Sequence, residues 1–239
     1  MPRRYPLWLI IIIFVLLSGP LAEGSTAYSA SNPAAPQTQT AKNVIVLIPD
    51  GCSSEQYTLA RWFKGAPLAL DQILVGAVKT YVADSVVADS APAASAFATG
   101  HRTSCTFISM GPQNPPLACV PRPDPGQSYK PLATVLEGAK LLGKATGLVV
   151  TSRISHATPA AFYAHVPSRQ QENDIAEQGV YQNLDVVLGG GRRQLLAHED
   201  GGRRTDRENL VEVLQQRGYA FVTTAEEPEL IIHPEPDAE

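Results

Sequence analysis

Three polar groups that can do chemistry each follow or open an apolar stretch of the sequence. Asp50 comes directly after an apolar run, Ser90 opens an alanine-rich stretch, and His156 and Thr158 stand two residues apart. In an extended chain, residues two apart point to the same side. A serine at a helix N-terminus faces backbone N–H donors and the positive end of the helix dipole, which favours an anionic ligand and a serine alkoxide. A carboxylate such as that of Asp50 suits a hard cation.

Each of these residues also has a purely structural explanation. Ser90 or Asp89 can be the N-cap of a helix, and Asp50 lies in Pro-Asp-Gly, a common turn tripeptide. Arg169 lies in a break between predicted helices, where it can reach into a cleft or simply face solvent. No Gly-x-Ser-x-Gly motif surrounds Ser90, and no histidine is placed as an evident base. A nucleophile at this position would therefore need activation by a metal ion.

The elements that must position these residues follow from hydrophobic patterning. Apolar, β-branched runs predict strands at residues 43–48, 75–82, 147–151, 185–188 and 219–222. Helical spacing and helix-terminating residues predict helices at 54–63, 90–98, 132–142, 171–182 and 206–217, the last with Asp206 as a candidate N-cap. Strands that alternate with helices predict an α/β fold with a mostly parallel β-sheet flanked by helices. In such sheets, chemistry lies beyond the carboxyl ends of the strands, where Asp50, Ser90 and residues 152–158 fall.

The N-terminal part of the sequence is typical of an exported protein. Residues 1–24 combine Arg3 and Arg4 with an uncharged apolar run from Leu7 to Leu17, which predicts a secretory signal peptide with an uncertain cleavage point. An uncleaved N-terminal anchor is the alternative. Residues 25–41 are polar and small, which predicts a disordered tether ahead of the folded part at 42–239. We therefore expect a periplasmic or extracellular location, without a stable membrane span after cleavage.

The amino-acid composition and net charge of the chain exclude several classes of protein. The chain has 239 residues, of which 44% are hydrophobic and 18% charged, so it can bury a core and is not wholly disordered. Its net charge of −4 is not the charge of a protein that binds nucleic acid. Three cysteines are too few for a disulfide scaffold. In an oxidising compartment, Cys105 and Cys119 can close the loop between them with a disulfide, although nothing in the sequence decides whether they do.

Five segments together resemble one family. They read NVIVLIPDG at 43–51, ADSAPAASAFATG at 88–100, HATPAAFYAHVPSR at 156–169, DVVLGGGR at 185–192 and QRGY at 216–219. In this order they are similar to the N-terminal portion of the bacterial alkaline phosphatases. The resemblance extends from about residue 42 to about residue 222.

The resemblance implies a function and a set of site residues. It implies a layered α/β fold and a metal-dependent phosphate monoester hydrolase, with Zn²⁺ and Mg²⁺ as cofactors. Ser90 would be the nucleophile that is transiently phosphorylated, and also a zinc ligand. Asp50 would bridge zinc and magnesium, Thr158 would bind magnesium, and His156 would stand beside the magnesium site. Arg169 would hold two phosphate oxygens with its planar guanidinium. A homodimer is left open.

The resemblance is incomplete in one important respect. Family members are nearly twice as long, and most of their zinc ligands come from later Asp-x-x-x-His, Asp-His and His segments. After Arg169 the sequence has only His198 and His233, and no aspartate lies four residues before or directly before either. We therefore expect a fold that is incomplete at its C-terminus and an isolated chain that is inactive, because the remaining ligands would belong to a missing C-terminal part.

Two other kinds of function are compatible with parts of the same sequence. An exported, catalytically inactive remnant or an anion-binding module would explain the same sequence without turnover. A sulfatase-like hydrolase is disfavoured, because Ala94 occupies the position where that family's Ser/Cys-x-Pro-x-Arg motif has arginine.

Overall fold

The computed structural model describes residues 41–113, 117–118, 120–121 and 124–224. The predicted signal peptide and nearly all of the predicted tether lie outside these residues, as does Cys119. The domain boundaries and the disulfide between Cys105 and Cys119 therefore stay predictions. None of the helices in the described part of the chain is both long enough and apolar enough to span a bilayer.

Helices account for most of the regular structure in the described residues. The α-helices are α1 (Ser54–Lys64), α2 (Ser90–Thr99), α3 (Val135–Leu141), α4 (Ala157–Ala160), α5 (Glu172–Tyr181), α6 (Arg192–Leu195) and α7 (Leu210–Gln216). Short 3₁₀ helices lie at Ala69–Gln72, Pro125–Gln127 and His198–Asp200. The predicted helices at 54–63, 90–98 and 171–182 are thus confirmed, within one or two residues at each end.

Helix α2 shows why the sequence forms a helix at this place. The side chain of Asp89 is the N-cap and accepts a hydrogen bond from the amide of Ala91 at 2.9 Å. At the other end, Gly100 takes a left-handed conformation with φ of 74° and donates its amide to the carbonyl of Ala96. The cap is therefore Asp89, and Ser90 is the first residue of the helix proper.

Two strands, β1 (Gly147–Arg153) and β2 (Val186–Gly190), form a parallel pair. Gly147 pairs with Val186, Leu148 with Val187 and Val149 with Leu188. The connection between them contains α4 and α5, so it is a crossover of the strand–helix–strand type. This arrangement confirms the predicted strands at 147–151 and 185–188 and the α/β fold class.

Three predicted strands are wrong. Residues 43–48, 75–82 and 219–222 contain no strand in the structure. Val75 and Val78 are exposed, and the described part of residues 41–47 is exposed throughout. A strand exists only through ladder partners, and the two strands of the described sheet pair with each other alone. Apolar composition alone therefore does not make these segments strands.

Two helix starts differ from the prediction. Helix α3 begins at Val135, where Thr134 and Glu137 form a capping box, with the Thr134 amide 2.8 Å from the Glu137 carboxylate. Helix α7 begins after Asn209, whose side chain accepts the Glu212 amide at 3.3 Å. Asp206 is not the N-cap of this helix, because its carboxylate binds Arg204 instead.

The main core is built from small residues on helices around the site. Ala91 and Ala98 of α2 are fully buried against Ala160 and Ala164, in and after α4. Alanine brings the helix backbones close together, so the N-terminus of α2 lies beside α4. A second core forms where α5, α6 and α7 pack through Val180, Leu195 and Leu210.

Candidate functional site

The carboxylate of Asp50 is the meeting point of two hydroxyl groups that are distant in sequence. The Ser90 hydroxyl donates to both carboxylate oxygens, at 2.9 and 3.0 Å. The Thr158 hydroxyl donates to Oδ2 at 2.9 Å. The structure therefore brings together three of the residues that the sequence marked as candidates, across separations of 40 and 108 positions.

Ser90 reaches Asp50 because of its place at the start of α2. With Asp89 acting as the cap, the Ser90 side chain is not needed to satisfy the first amides of the helix. Its hydroxyl is half-buried and lies at the positive end of a ten-residue helix. Such a place suits a group that must carry or meet negative charge.

His156 and Thr158 stand at the start of α4, just beyond the carboxyl end of β1. His156 is the N-cap position of α4, and Thr158 is the second residue of that short helix. The His156 ring turns toward Arg169 and not directly onto Asp50, with Nε2 3.0 Å from a guanidinium nitrogen. Because the guanidinium can only donate, Nε2 accepts, and the proton of the neutral ring is on Nδ1.

Arg169 is held beside Ser90 by two partners. One guanidinium nitrogen donates to Asp89 Oδ2 at 2.9 Å, and another donates to His156. The Arg169 amide also donates to the carbonyl of Thr106 at 2.8 Å. The arginine predicted to bind phosphate thus lies at the same helix end as the predicted nucleophile.

The charges in this group favour an ionised carboxylate and a neutral imidazole. Burial raises the pKa of the Asp50 carboxyl, but hydrogen bonds from Thr158 and Ser90 and the charges of His156 and Arg169 outweigh it, so the pKa lies below 3.8. Burial, with the nearby Arg169 charge, lowers the pKa of His156 below 6.5, against the opposing effect of Asp50. At neutral pH the group therefore offers one carboxylate, two hydroxyls, a neutral imidazole and a guanidinium. We call Asp50, Ser90, Thr158, His156 and Arg169 the Asp50 cluster.

The donors of the Asp50 cluster suit magnesium better than zinc. The convergent atoms on Asp50, Ser90 and Thr158 are all oxygens, the ligands that Mg²⁺ prefers. Zinc in proteins usually takes nitrogen or sulfur ligands as well, and the accepting nitrogen of His156 is already engaged by Arg169.

Sequence reasoning missed two contributors near this site. Asp89 was considered only as a cap, yet it also binds Arg169. Glu172 was not considered at all, and it binds Arg153 at 2.9 and 3.0 Å and accepts from the Ser155 hydroxyl at 3.0 Å, which fixes the end of β1 ahead of His156. An acidic residue directly before a serine at a helix start is a sequence pattern that could have indicated Asp89. No local pattern indicates Glu172.

A second group of charged residues lies elsewhere, around Arg204. Carboxylate oxygens of Glu177, Asp206 and Glu208 lie within 4.8 Å of one another. Arg204 is fully buried and binds Asp206, with further contacts to Glu208 at 3.4 Å and Glu177 at 3.8 Å. We call these four residues the Arg204 cluster. A guanidinium already occupies the place that a cation would take.

Comparison with a family model places most of the chain in one family. The model for alkaline phosphatases matches residues 41–236. The match begins just before the segment that carries Asp50 and continues past the last described residue.

Individual relatives agree with the family model. The chain is 35% identical over 201 residues to a repressible alkaline phosphatase of Saccharomyces cerevisiae, which covers 76% of this chain and 33% of the yeast protein. It is 38% identical over 196 residues to alkaline phosphatase 3 of Bacillus subtilis, which covers 76% of this chain and 37% of that protein. The chain therefore spans about a third of the length of these relatives.

A solved structure supports the fold. The alkaline phosphatase of Thermus thermophilus superimposes with a TM-score of 0.61 and 34% identity, covering 74% of this chain and 35% of the other. This similarity agrees with helices and a parallel pair of strands arranged as in an α/β layered domain.

Proposed function

The chain belongs to the alkaline phosphatase family, and we propose on that basis that it is a metal-dependent phosphate monoester hydrolase acting through a phosphoserine at Ser90. The observation that carries this proposal is the convergence of Ser90 and Thr158 on Asp50 at the N-terminus of α2, with Arg169 beside them. Each of these side chains suits one role in phosphoryl transfer, and all of them lie close together.

Phosphoryl transfer to Ser90 needs a nucleophile, a proton acceptor and donors for the phosphate oxygens. The Ser90 oxygen would bond to phosphorus while the bond from phosphorus to the ester oxygen breaks and the alcohol leaves. The hydroxyl proton of Ser90 already points at Asp50. Arg169 and the positive end of the α2 dipole would hold the equatorial oxygens, where negative charge is greatest. Water would then bond to phosphorus while the bond from phosphorus to the Ser90 oxygen breaks, a proton from that water would return to Ser90, and inorganic phosphate would leave.

Mg²⁺ would be held by Asp50 and Thr158, with His156 next to them. Asp50 and Ser90 would form part of a Zn²⁺ site. When bound, divalent cations supply positive charge that favours loss of the Ser90 proton and neutralises the phosphate. The described residues give zinc only Asp50 and Ser90, so we propose that its other ligands lie outside them and that the 239-residue chain alone is inactive. Phosphate monoesters are the proposed substrates, and nucleic acid is not a proposed partner.

The same contacts support a second candidate, an anion-binding module without turnover. A site with Arg169 and a helix N-terminus binds phosphate without zinc, whereas transfer needs a complete coordination sphere.

We further propose that the protein is exported through the signal predicted at 1–24, to the periplasm or the cell exterior. A homodimer is a third proposal, which sedimentation of the purified protein would test.

The deciding experiment follows Ser90 itself. The protein completed with the remaining zinc ligands, saturated with Zn²⁺ and Mg²⁺, would be given ³²P-labelled inorganic phosphate and quenched in acid, and hydrolysis of p-nitrophenyl phosphate would be measured in parallel. Ser90→Ala should lose acid-stable label and reduce turnover by about three orders of magnitude or more, since no other hydroxyl occupies its place. Ser85→Ala is the matched control and should be unchanged, because the Ser85 hydroxyl bonds to the Val87 carbonyl and amide and makes no contact with the Asp50 cluster.

The outcomes separate the two candidates. Label on Ser90 with turnover supports the hydrolase. Phosphate binding that Arg169→Ala abolishes, without label or turnover in the completed wild-type protein, supports the anion-binding module. Turnover that persists in Ser90→Ala rejects the assignment of the nucleophile.

A further inference from the structure

The loop formed by residues 103–111 contacts all three elements that carry the Asp50 cluster residues Ser90, Thr158 and Arg169. The Thr106 carbonyl accepts the amide of Arg169 at 2.8 Å. Ser109 links the loop to α2 through Ser95 and to the end of α4 through the carbonyl of Ala161. The loop therefore lies behind the site and connects its parts.

Ser109 has an unusual backbone conformation for its residue type. Its φ is 41°, in the left-handed region that favours glycine, and it is completely buried. A residue other than glycine keeps such a conformation only where its surroundings hold it there. The contacts of Ser109 account for this restraint.

On one side, Ser109 is connected to the first turn of α2. Its amide donates to the hydroxyl of Ser95 at 2.8 Å, and that hydroxyl donates to the carbonyl of Ala91 at 2.8 Å. Ala91 is the residue directly after Ser90. Ser95 is also fully buried, so water does not compete for these bonds.

On the other side, Ser109 is connected to the element that carries Thr158. Its hydroxyl donates to the carbonyl of Ala161, which directly follows α4. Its carbonyl accepts from the amide of Leu132 and from Nδ1 of His165, each at 2.9 Å. Every polar group of Ser109 is thus bonded. Its amide is connected through Ser95 to helix α2, which carries Ser90, and its hydroxyl is bonded to the residue after helix α4, which carries Thr158.

We propose that Ser109 is a positioning residue that fixes α2 relative to α4, and so sets the spacing of the Ser90 and Thr158 hydroxyls around Asp50. This inference rests on the proposed function for its catalytic meaning, but the spacing itself is a property of the fold. Ser109 does not touch substrate and takes no part in bond making. Its hydroxyl makes a buried hydrogen bond between the loop and the residue that directly follows α4.

Two substitutions separate the hydroxyl from the backbone conformation. Ser109→Ala removes the hydroxyl and keeps the unfavourable φ for a residue with a Cβ, whereas Ser109→Gly removes the hydroxyl and relieves that strain. The glycine variant should therefore be the more stable of the two. Thr103→Val is the matched control, because Thr103 is equally buried in the same loop and its hydroxyl bonds to the Met110 carbonyl, away from α2 and α4.

The first readout is amide hydrogen exchange of the full chain without substrate. If Ser109 fixes the spacing, exchange should accelerate together in residues 90–96 and 157–161, about tenfold, in both Ser109 variants and not in Thr103→Val. Faster exchange that is spread over the whole chain in proportion to lost stability, as in the control, would overturn the inference. So would unchanged exchange in these two segments.

The second readout is p-nitrophenyl phosphate hydrolysis with Zn²⁺ and Mg²⁺ at saturation. Both Ser109 variants should lower kcat about tenfold or more with KM within about twofold, because misplacement of reacting groups acts on the transition state. Loss of kcat in alanine but not in glycine would mean that strain or stability is the cause and would overturn the proposal. Hydrolysis is measured on the protein completed with the remaining zinc ligands. If that wild-type protein shows no hydrolysis, the proposed function fails, and hydrogen exchange alone then decides on Ser109.

Discussion

The Asp50 cluster and the Arg204 cluster both gather charged and polar groups around one centre, but with opposite chemistry. In the Asp50 cluster, a single carboxylate is surrounded by hydroxyls, which donate hydrogen bonds and also have lone pairs for a cation. In the Arg204 cluster, three carboxylates surround a buried guanidinium that has only donors. The first arrangement can exchange its internal hydrogen bonds for a ligand, and the second is already satisfied.

The identity of the central group distinguishes a candidate binding site from a structural ion network. Counting acidic side chains alone would favour the Arg204 cluster, which has three carboxylates close together. Its protein cation makes it a support between α5 and the segment before α7, where Arg204 also donates to the carbonyl of Asn173 at 3.0 Å. The exposed carboxylate with hydroxyl partners is the better candidate for chemistry.

The largest expected effect is on stability, from Arg204→Ala. Removing the buried guanidinium leaves three carboxylates facing one another and a lost bond to the Asn173 carbonyl, and should lower the free energy of unfolding by about 3 kcal/mol. Urea unfolding followed by circular dichroism measures it. Arg203→Ala, at the exposed neighbouring position, should stay within about 0.5 kcal/mol. Equal losses in the two variants would remove the distinction between the clusters.

A smaller effect concerns magnesium. At a concentration ten times its Kd, Mg²⁺ should stabilise the wild-type chain by about 1.4 kcal/mol, seen as a higher Tm. Asp50→Asn should abolish this gain, because it removes the charge on which the hydroxyls converge. Asp206→Asn should retain it. The comparison would be reversed if Asp206→Asn lost the magnesium effect and Asp50→Asn kept it.

The smallest effect concerns acid. Burial raises the pKa of Asp206, but the Glu208 amide and Arg204 outweigh it, so the pKa lies below 3.8 in the folded state. A carboxyl with a lowered pKa stabilises the fold above its unfolded pKa and loses that contribution as pH falls through the folded value. Asp206→Asn should therefore lose less stability than the wild-type chain between about pH 5 and pH 3, in urea unfolding at each pH. Asp200→Asn, at an exposed position, should follow the wild-type curve, and a wild-type-like curve for Asp206→Asn would contradict the prediction.

Local patterns in the sequence predicted the elements that are stabilised locally. Helix α2 was predicted from its alanine content, from Pro92 in its first turn and from its terminal glycine, and all three features act within the element itself. The strands at 147–151 and 185–188 were predicted correctly because they pair with each other. The predicted strands at 43–48 and 75–82 failed because apolar, β-branched composition does not supply a partner, and pairing is a property of distant residues.

The sequence allowed us to predict which residues come together in the candidate site, but not the contacts that each of them makes. Asp50, Ser90 and Thr158 were expected to meet because each follows an element that points to one edge, and they do meet even though the strand before Asp50 is absent. The contact between Asp89 and Arg169 spans 80 positions and depends on how α2 and the segment after α4 pack. The left-handed conformation of Ser109 is equally invisible in sequence, since serine has no preference for it.

One side chain, Asp89, both starts the helix behind Ser90 and binds the guanidinium of Arg169. Its two oxygens divide these duties, one for the amide of Ala91 and one for the arginine. An asparagine would keep a neutral acceptor for the amide while giving up the charge that attracts the arginine. Asparagine at this position would therefore release the Arg169 side chain while helix α2 kept its start.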